Sequence, residues 1–102
     1  MKESKFQADT LKEIKGRMPD GTIILKNNPC YKQGISDIAI MGSTPNDEPR
    51  WALLEFKDEE DADHQANQDD YVEIADLQSF GRFIYPENKE EVLDELYTFF
   101  GV

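Results

Sequence analysis

Hydrophobic and polar positions alternate along this chain with two different periods, which divide it into helices and strands. Apolar residues recur every three or four positions over 4–18, over 64–80 and after Asn88, which predicts three helices. Short apolar runs, rich in β-branched residues, predict four strands, at 22–26, 35–41, 50–57 and 81–86. The predicted order, α-β-β-β-α-β-α, indicates one α/β domain over 1–102, with a small mixed β-sheet flanked by helices.

The same periodicity predicts which face of each helix is buried, and Gly81 marks the stop of the second helix. The predicted buried stripes are Ala8, Leu11, Ile14 and Met18 in the first helix, Tyr71, Ile74, Ala75 and Leu77 in the second, and Val92, Leu93, Leu96, Phe99 and Phe100 in the third.

Two charged residues interrupt the most apolar predicted strand, whose sequence over 51–57 is WALLEFK. Because side chains alternate across a strand, Glu55 and Lys57 share one face of the sheet, at the strand's carboxyl end. Asp37 interrupts the preceding strand in the same manner. If these two strands pair antiparallel, Asp37 lies near Glu55 and Lys57, and three ionisable groups converge.

Two interpretations of this cluster remain open from spacing alone. One is a salt bridge at a strand end, which is the commoner arrangement and only weakly stabilising. The other is a metal site, because Mg²⁺ binds through one or two carboxylates and keeps several of its waters. In the second case Lys57 would stabilise a charged transition state or an attacking hydroxide.

Charge is unevenly distributed along the chain, whose net charge is −11. Residues 1–35 carry a net charge of +3, and residues 36–102 carry −14. A polyanion would therefore meet the N-terminal third, where Lys26, Tyr31 and Lys32 are candidates for contacting a phosphate backbone. The single cysteine and the lack of an apolar N-terminal stretch lead us to expect a cytoplasmic protein that does not enter a membrane.

The strings GISD, LLEFK and NQDDYVEIADLQSFGRFIYPENKEEVLDEL together resemble the PD-(D/E)XK nuclease superfamily over essentially the whole chain. Within it the chain is similar to small phage-type nucleases of the VRR-NUC and Holliday-junction-resolvase-like kind. Two features depart from the family pattern, since Ser36 replaces the usual proline before the aspartate and an acidic segment, 58–66, follows Lys57.

The resemblance implies a restriction-endonuclease-like core and a role for individual residues. Asp37 and Glu55 would ligate Mg²⁺ or Mn²⁺, with the backbone carbonyl of Phe56 completing the site. Lys57 would be the catalytic lysine and Gln68 the glutamine that orients the catalytic strand or a phosphate. A further candidate metal ligand is Glu3, on the first helix.

We therefore expect a phage-encoded, metal-dependent DNA endonuclease that acts as a homodimer in the cytoplasm of the bacterial host. Branched or four-way-junction DNA is the substrate that the resemblance implies. The alternative is a non-catalytic protein with the same fold, whose acidic face mimics DNA or binds a basic host protein. The net charge of −14 over residues 36–102 motivates this alternative.

Overall fold

The structure, a computed structural model, describes residues 3–26, 38–57 and 68–102. It confirms the predicted α/β class, because these residues form three helices and a four-stranded mixed sheet. Along the described part of the chain the elements are α1 (Glu3–Arg17), β1 (Ile23–Lys26), β2 (Ile38–Ser43), β3 (Pro49–Phe56), α2 (Gln68–Gln78), β4 (Gly81–Ile84) and α3 (Lys89–Phe100).

The sheet has the strand order β1-β2-β3-β4, so β3 is an inner strand. Strand β2 runs antiparallel to both β1 and β3, whereas β3 and β4 are parallel and α2 lies between them in sequence. The carboxyl ends of β1, β3 and β4 consequently lie at one edge of the sheet, which we call the carboxyl edge. Lys26, Phe56 and Ile84 are the last strand residues there.

Element boundaries differ from the sequence prediction by two residues at three places, one of which is the end of β4 at Ile84 instead of residue 86. Strand β2 extends two residues past its predicted end at 41, because Gly42 and Ser43 still pair with β3. Helix α2 ends at Gln78, two residues before its predicted end at 80. The predicted starts of these two elements, over 35–37 and 64–67, lie outside the described residues.

One face of the sheet carries the hydrophobic core, and α1 and α3 cover it. Side chains from alternate strand positions point into this core, which is why Ala52, Leu54 and Phe56 are almost completely buried. The predicted stripe of α3 is buried except for Phe99, which is half-buried. The helices contribute Phe6, Ile14, Met18, Val92, Leu93, Leu96 and Phe100, and the strands Ile38, Ile40, Ala52, Leu54, Phe56 and Ile84.

The prediction for the buried face of α1 was wrong in its first turns. Ala8 is exposed, whereas Phe6 and Thr10 are buried. The large Phe6 ring packs edge-on against Phe56, with 5.6 Å between ring centroids. With this contact, the start of the helix turns the large Phe6 side chain toward the sheet in place of Ala8.

Helix α2 covers the opposite face of the sheet, and here the predicted stripe was largely wrong. Val72 and Ala75 are buried, but Ile74 and Leu77 are 53% and 80% exposed. The physical cause is Gly81, where an added Cβ would lie 2.9 Å from both the Ala75 Cβ and the Asp76 backbone nitrogen and would also contact the Val72 carbonyl oxygen. The helix can approach the sheet this closely only because small side chains line the contact.

The part of that face beyond α2 carries exposed apolar side chains. Ile23, Met41 and Trp51 are cross-strand partners and form one row across β1, β2 and β3. These three side chains are between 37% and 52% exposed. The helices of the described part are at most 15 residues long, and none of them has the length and apolar character of a membrane span.

Candidate active site at the end of β3

Glu55 and Lys57 occupy the carboxyl edge at the end of the inner strand β3. Glu55 is the penultimate strand residue and pairs with Phe83 of β4. Lys57 follows the strand, but its backbone nitrogen still donates a hydrogen bond of 2.9 Å to the carbonyl oxygen of Ile84. Strand β4 pairs with β3 as far as Phe56, and the described part of β2 pairs with it as far as Leu54, so the backbone that carries both side chains is anchored in the sheet.

The two side chains form a buried ion pair on the face of the sheet that α2 covers. The Lys57 Nζ atom lies 4.0 Å from Glu55 Oε1, and the two side chains are 9% and 3% exposed. The predicted sharing of one face is therefore confirmed by this contact. The salt bridge between Lys57 and Glu55 is present as a contact, but the pair is buried, and burying two charges costs solvation energy that an exposed pair does not lose.

Phe56, between these two residues, points to the other face and anchors the site to the core. Its side chain is fully buried, and its contact with Phe6 brings the beginning of α1 to the carboxyl edge. Helix α1 begins at Glu3, the candidate ligand of that helix, and helix α2 begins at Gln68. The structure describes the backbone at these two positions and not their side chains.

The remaining predicted site residues divide into two groups. Lys26 is the last residue of β1 and is exposed at the carboxyl edge. Asp37, Tyr31 and Lys32 lie outside the described residues, so their predicted roles stay predictions. Ile38, the residue that follows Asp37 in the chain, pairs with Leu54.

Sequence reasoning did not identify a second charged cluster, around Arg82 of β4. The guanidinium of Arg82 donates hydrogen bonds to Asp76 of α2 and Glu95 of α3 and lies over the Phe80 ring, 4.4 Å from its centroid. Burial alone would lower the pKa of Arg82, but the hydrogen bonds to both carboxylates outweigh it and raise the pKa above its usual range. No sequence spacing signals this cluster, because its members come from three elements.

A groove of about 480 Å³ adjoins the Arg82 cluster and is lined by residues of α2, β4 and α3. It lies beside the outer strand β4 and includes neither Glu55 nor Lys57. Two of its three acids, Asp76 and Glu95, pair with Arg82, so we assign this cluster a structural role, joining the two helices across β4.

Among the predicted metal ligands, Glu55 is the carboxylate whose side chain lies in the described part of the chain. Across residues 3–26, 38–57 and 68–102, no three residues of the types His, Cys, Asp and Glu form a group that could hold a metal ion. A Mg²⁺ site needs only one or two carboxylates beside its waters, and Glu55 supplies an oxygen ligand of that kind. Comparisons of the chain with family models, with curated proteins and with solved structures gave no match.

Proposed function

We propose that this protein is a divalent-metal-dependent DNA endonuclease of the PD-(D/E)XK type, built on a restriction-endonuclease-like core. The observation that carries the proposal is the buried pair of Glu55 and Lys57 at the carboxyl end of an inner strand. The succession of helices and strands along the described ranges supports it, since the second carboxylate of the motif, Asp37, directly precedes the first residue of β2.

Burial of this ion pair argues for a chemical role rather than a stabilising one. Replacing a buried ion pair by apolar residues of similar volume is often neutral or stabilising, so such a pair contributes little to the fold. Charged groups held in a desolvated position are typical of sites where they act on a substrate. Both groups lie at the carboxyl edge, where the chain leaves β3.

The ligands that would hold Mg²⁺ or Mn²⁺ are Asp37, Glu55 and the backbone carbonyl of Phe56, with Glu3 as a further candidate. All are oxygen donors, which these hard cations prefer. When bound, the cation would lower the pKa of a coordinated water and offset the negative charge that develops on the phosphate.

Lys57 is placed to stabilise negative charge on the reacting phosphate or on the attacking hydroxide. Its ammonium is desolvated and lies within 4.0 Å of the Glu55 carboxylate, where its charge acts more strongly than it would in water. Gln68, at the beginning of α2, would orient the catalytic strand or a phosphate. Lys26, Tyr31 and Lys32 would contact the DNA backbone.

The family resemblance also leads us to propose a DNA substrate, a phage origin and a dimeric state for this protein. Branched or four-way-junction DNA is the proposed substrate, and the protein would be phage-encoded and act in the host cytoplasm. A homodimer would present two sites to two strands. The exposed row of Ile23, Met41 and Trp51 supports self-association, because contiguous apolar surface of this kind is typical of protein contacts.

The second candidate function is a non-catalytic protein that mimics DNA or binds a basic partner. Its supporting observation is the charge of two helices, since α2 has no basic residue and four acidic ones, and α3 has one lysine against four acids. A DNA mimic needs such an acidic surface but does not need a lysine buried beside Glu55.

A cleavage assay separates the two candidates. We expect purified protein to cut plasmid or four-way-junction DNA in the presence of Mg²⁺ or Mn²⁺ and to leave it intact in EDTA. Single-stranded DNA of the same sequence serves as the comparison substrate. No cleavage of any of these substrates, at any metal concentration tested, would contradict the nuclease proposal and favour the mimic.

Metal binding has a second readout that does not depend on activity. A ligand that binds only the folded state should raise the free energy of unfolding by about 2.7 kcal/mol when its concentration is a hundred times its dissociation constant. We expect Mn²⁺ to give such a shift in a urea titration of the wild-type protein and a much smaller one in Glu55→Gln. Equal shifts in the two proteins would place the metal away from Glu55.

A further inference from the structure

The charge of α1 distinguishes it from the other two helices. It carries four basic and three acidic residues, whereas α2 and α3 are strongly acidic. In a protein whose net charge is −11, this helix is therefore a place where a polyanion meets less repulsion.

Some of the charged side chains of α1 form ion pairs or hydrogen bonds, and others do not. Lys5 pairs with Asp9 at 3.3 Å, and Glu13 pairs with Lys89 of α3 at 3.1 Å. Arg17 donates a hydrogen bond to the carbonyl oxygen of Val102 and lies over the Tyr97 ring. Lys12 and Lys15, by contrast, are exposed and form neither an ion pair nor a hydrogen bond with any described residue.

Helix geometry places these two lysines on the side of α1 that faces away from the acidic α3. At about 100° per residue, Lys12 lies about 160° and Lys15 about 100° around the helix from the buried Ile14. Glu13 lies about 100° in the opposite direction, and its partner Lys89 belongs to α3. Glu13 and the acidic α3 therefore lie on one side of the helix, and Lys12 and Lys15 on the other.

Lys26 lies on the same side of the sheet as α1. It is two residues after Ile24, which packs against the core, and its cross-strand partner is the buried Ile38. Like the two helix lysines it is exposed, and its ammonium forms no ion pair with a residue of the described ranges. Since the contact of Phe6 with Phe56 brings the beginning of α1 to the carboxyl edge, the helix leads from that edge along the same side.

We propose that the phosphodiester backbone of DNA binds along α1 through Lys12 and Lys15, and continues past Lys26 to the carboxyl edge. The identity of the polyanion rests on the proposed nuclease function. Small residues flank Lys12 one turn away on each side, at Ala8 and Gly16, and an added Cβ at Gly16 would contact nothing within 4 Å. A phosphate can therefore approach the helix surface beside each lysine.

The test is a salt titration of DNA binding by Lys12→Gln/Lys15→Gln in a Glu55→Gln background, which prevents cleavage during the measurement. The probe is a fluorescein-labelled 20-base-pair duplex at 0.05 to 0.2 M NaCl. Each lost phosphate contact should reduce the slope of log K against log salt by about 0.9, so the double variant should lose about 1.8 units. Lys89→Gln is the matched control, because it removes a paired lysine on the acidic α3, and its slope should not change.

The outcomes separate this surface from the catalytic proposal. An unchanged slope in Lys12→Gln/Lys15→Gln, or no binding of the duplex by the background protein, would overturn the inference even if wild-type protein cuts DNA. A slope reduced by about 1.8 units supports the inference even if the wild-type protein fails to cut any substrate. An equal reduction in Lys89→Gln would show a general charge effect and would overturn it as well.

Discussion

Replacing Glu55 with glutamine is expected to reduce metal-dependent DNA cleavage at least a hundredfold, the loss typical of removing one group that stabilises a transition state. The same change should destabilise the protein by about 1 to 3 kcal/mol, because it removes one charged partner of the buried Lys57 ammonium. Cleavage of a labelled junction and urea denaturation followed by circular dichroism measure the two effects separately.

Glu48 offers a matched control for this experiment. It precedes β3 and pairs with Arg50 at 3.6 Å, but the Glu48 side chain is 59% exposed. Glu48→Gln should therefore change stability by less than about 1 kcal/mol and leave cleavage unaffected. The double variant Glu55→Gln/Lys57→Met should regain part of the lost stability and remain inactive, since it also removes the buried charge of Lys57. Full activity in that double variant would exclude the pair from the chemistry.

Gly81→Ala is expected to destabilise the protein by about 1 to 3 kcal/mol or more, because the added methyl group would overlap the backbone of α2. Neither the carbonyl oxygen of Val72 nor the nitrogen of Asp76 can move without displacing the helix from the sheet. The free energy of unfolding from a urea titration measures the loss.

Gly16→Ala is the opposite case and serves as its control. Gly16 lies in the last turn of α1, is exposed and has open space where the methyl group would be added. Alanine favours the helix over glycine, so this variant should gain up to about 1 kcal/mol. A neutral Gly81→Ala beside a stabilised Gly16→Ala would show that α2 does not pack on Gly81 as described.

The alternation of strand residues was predictable from the sequence, but the extent of burial along each face was not. Alternation alone placed Glu55 and Lys57 on one face with Trp51. Only the structure shows that this face is exposed at Trp51 and buried at Glu55. This difference in burial depends on where α2 crosses the sheet. The position of α2 is a tertiary feature, which the hydrophobic pattern of a single strand cannot predict.

Helix α2 illustrates why periodicity identifies a helix more reliably than its buried side. The helix offers two apolar faces, one with the bulky Ile74 and Leu77 and one with the smaller Val72 and Ala75. The larger side chains of Ile74 and Leu77 led to the prediction that the first face is buried, and Gly81 was interpreted only as the end of the helix. Close packing on Gly81 selects the smaller face, because only small side chains fit between the helix and a strand without a Cβ.

Trp51 is the single tryptophan of the protein, and its position gives the molecule an intrinsic optical label. The indole is partly exposed in the apolar row on the open sheet face, four residues before Glu55 and therefore about 13 Å from it along β3. Its backbone carbonyl accepts a hydrogen bond from the Ser79 hydroxyl, just after the end of α2. The emission of this one fluorophore therefore reports on the docking of α2 and on any molecule that covers the open face, at a distance from Glu55 and Lys57.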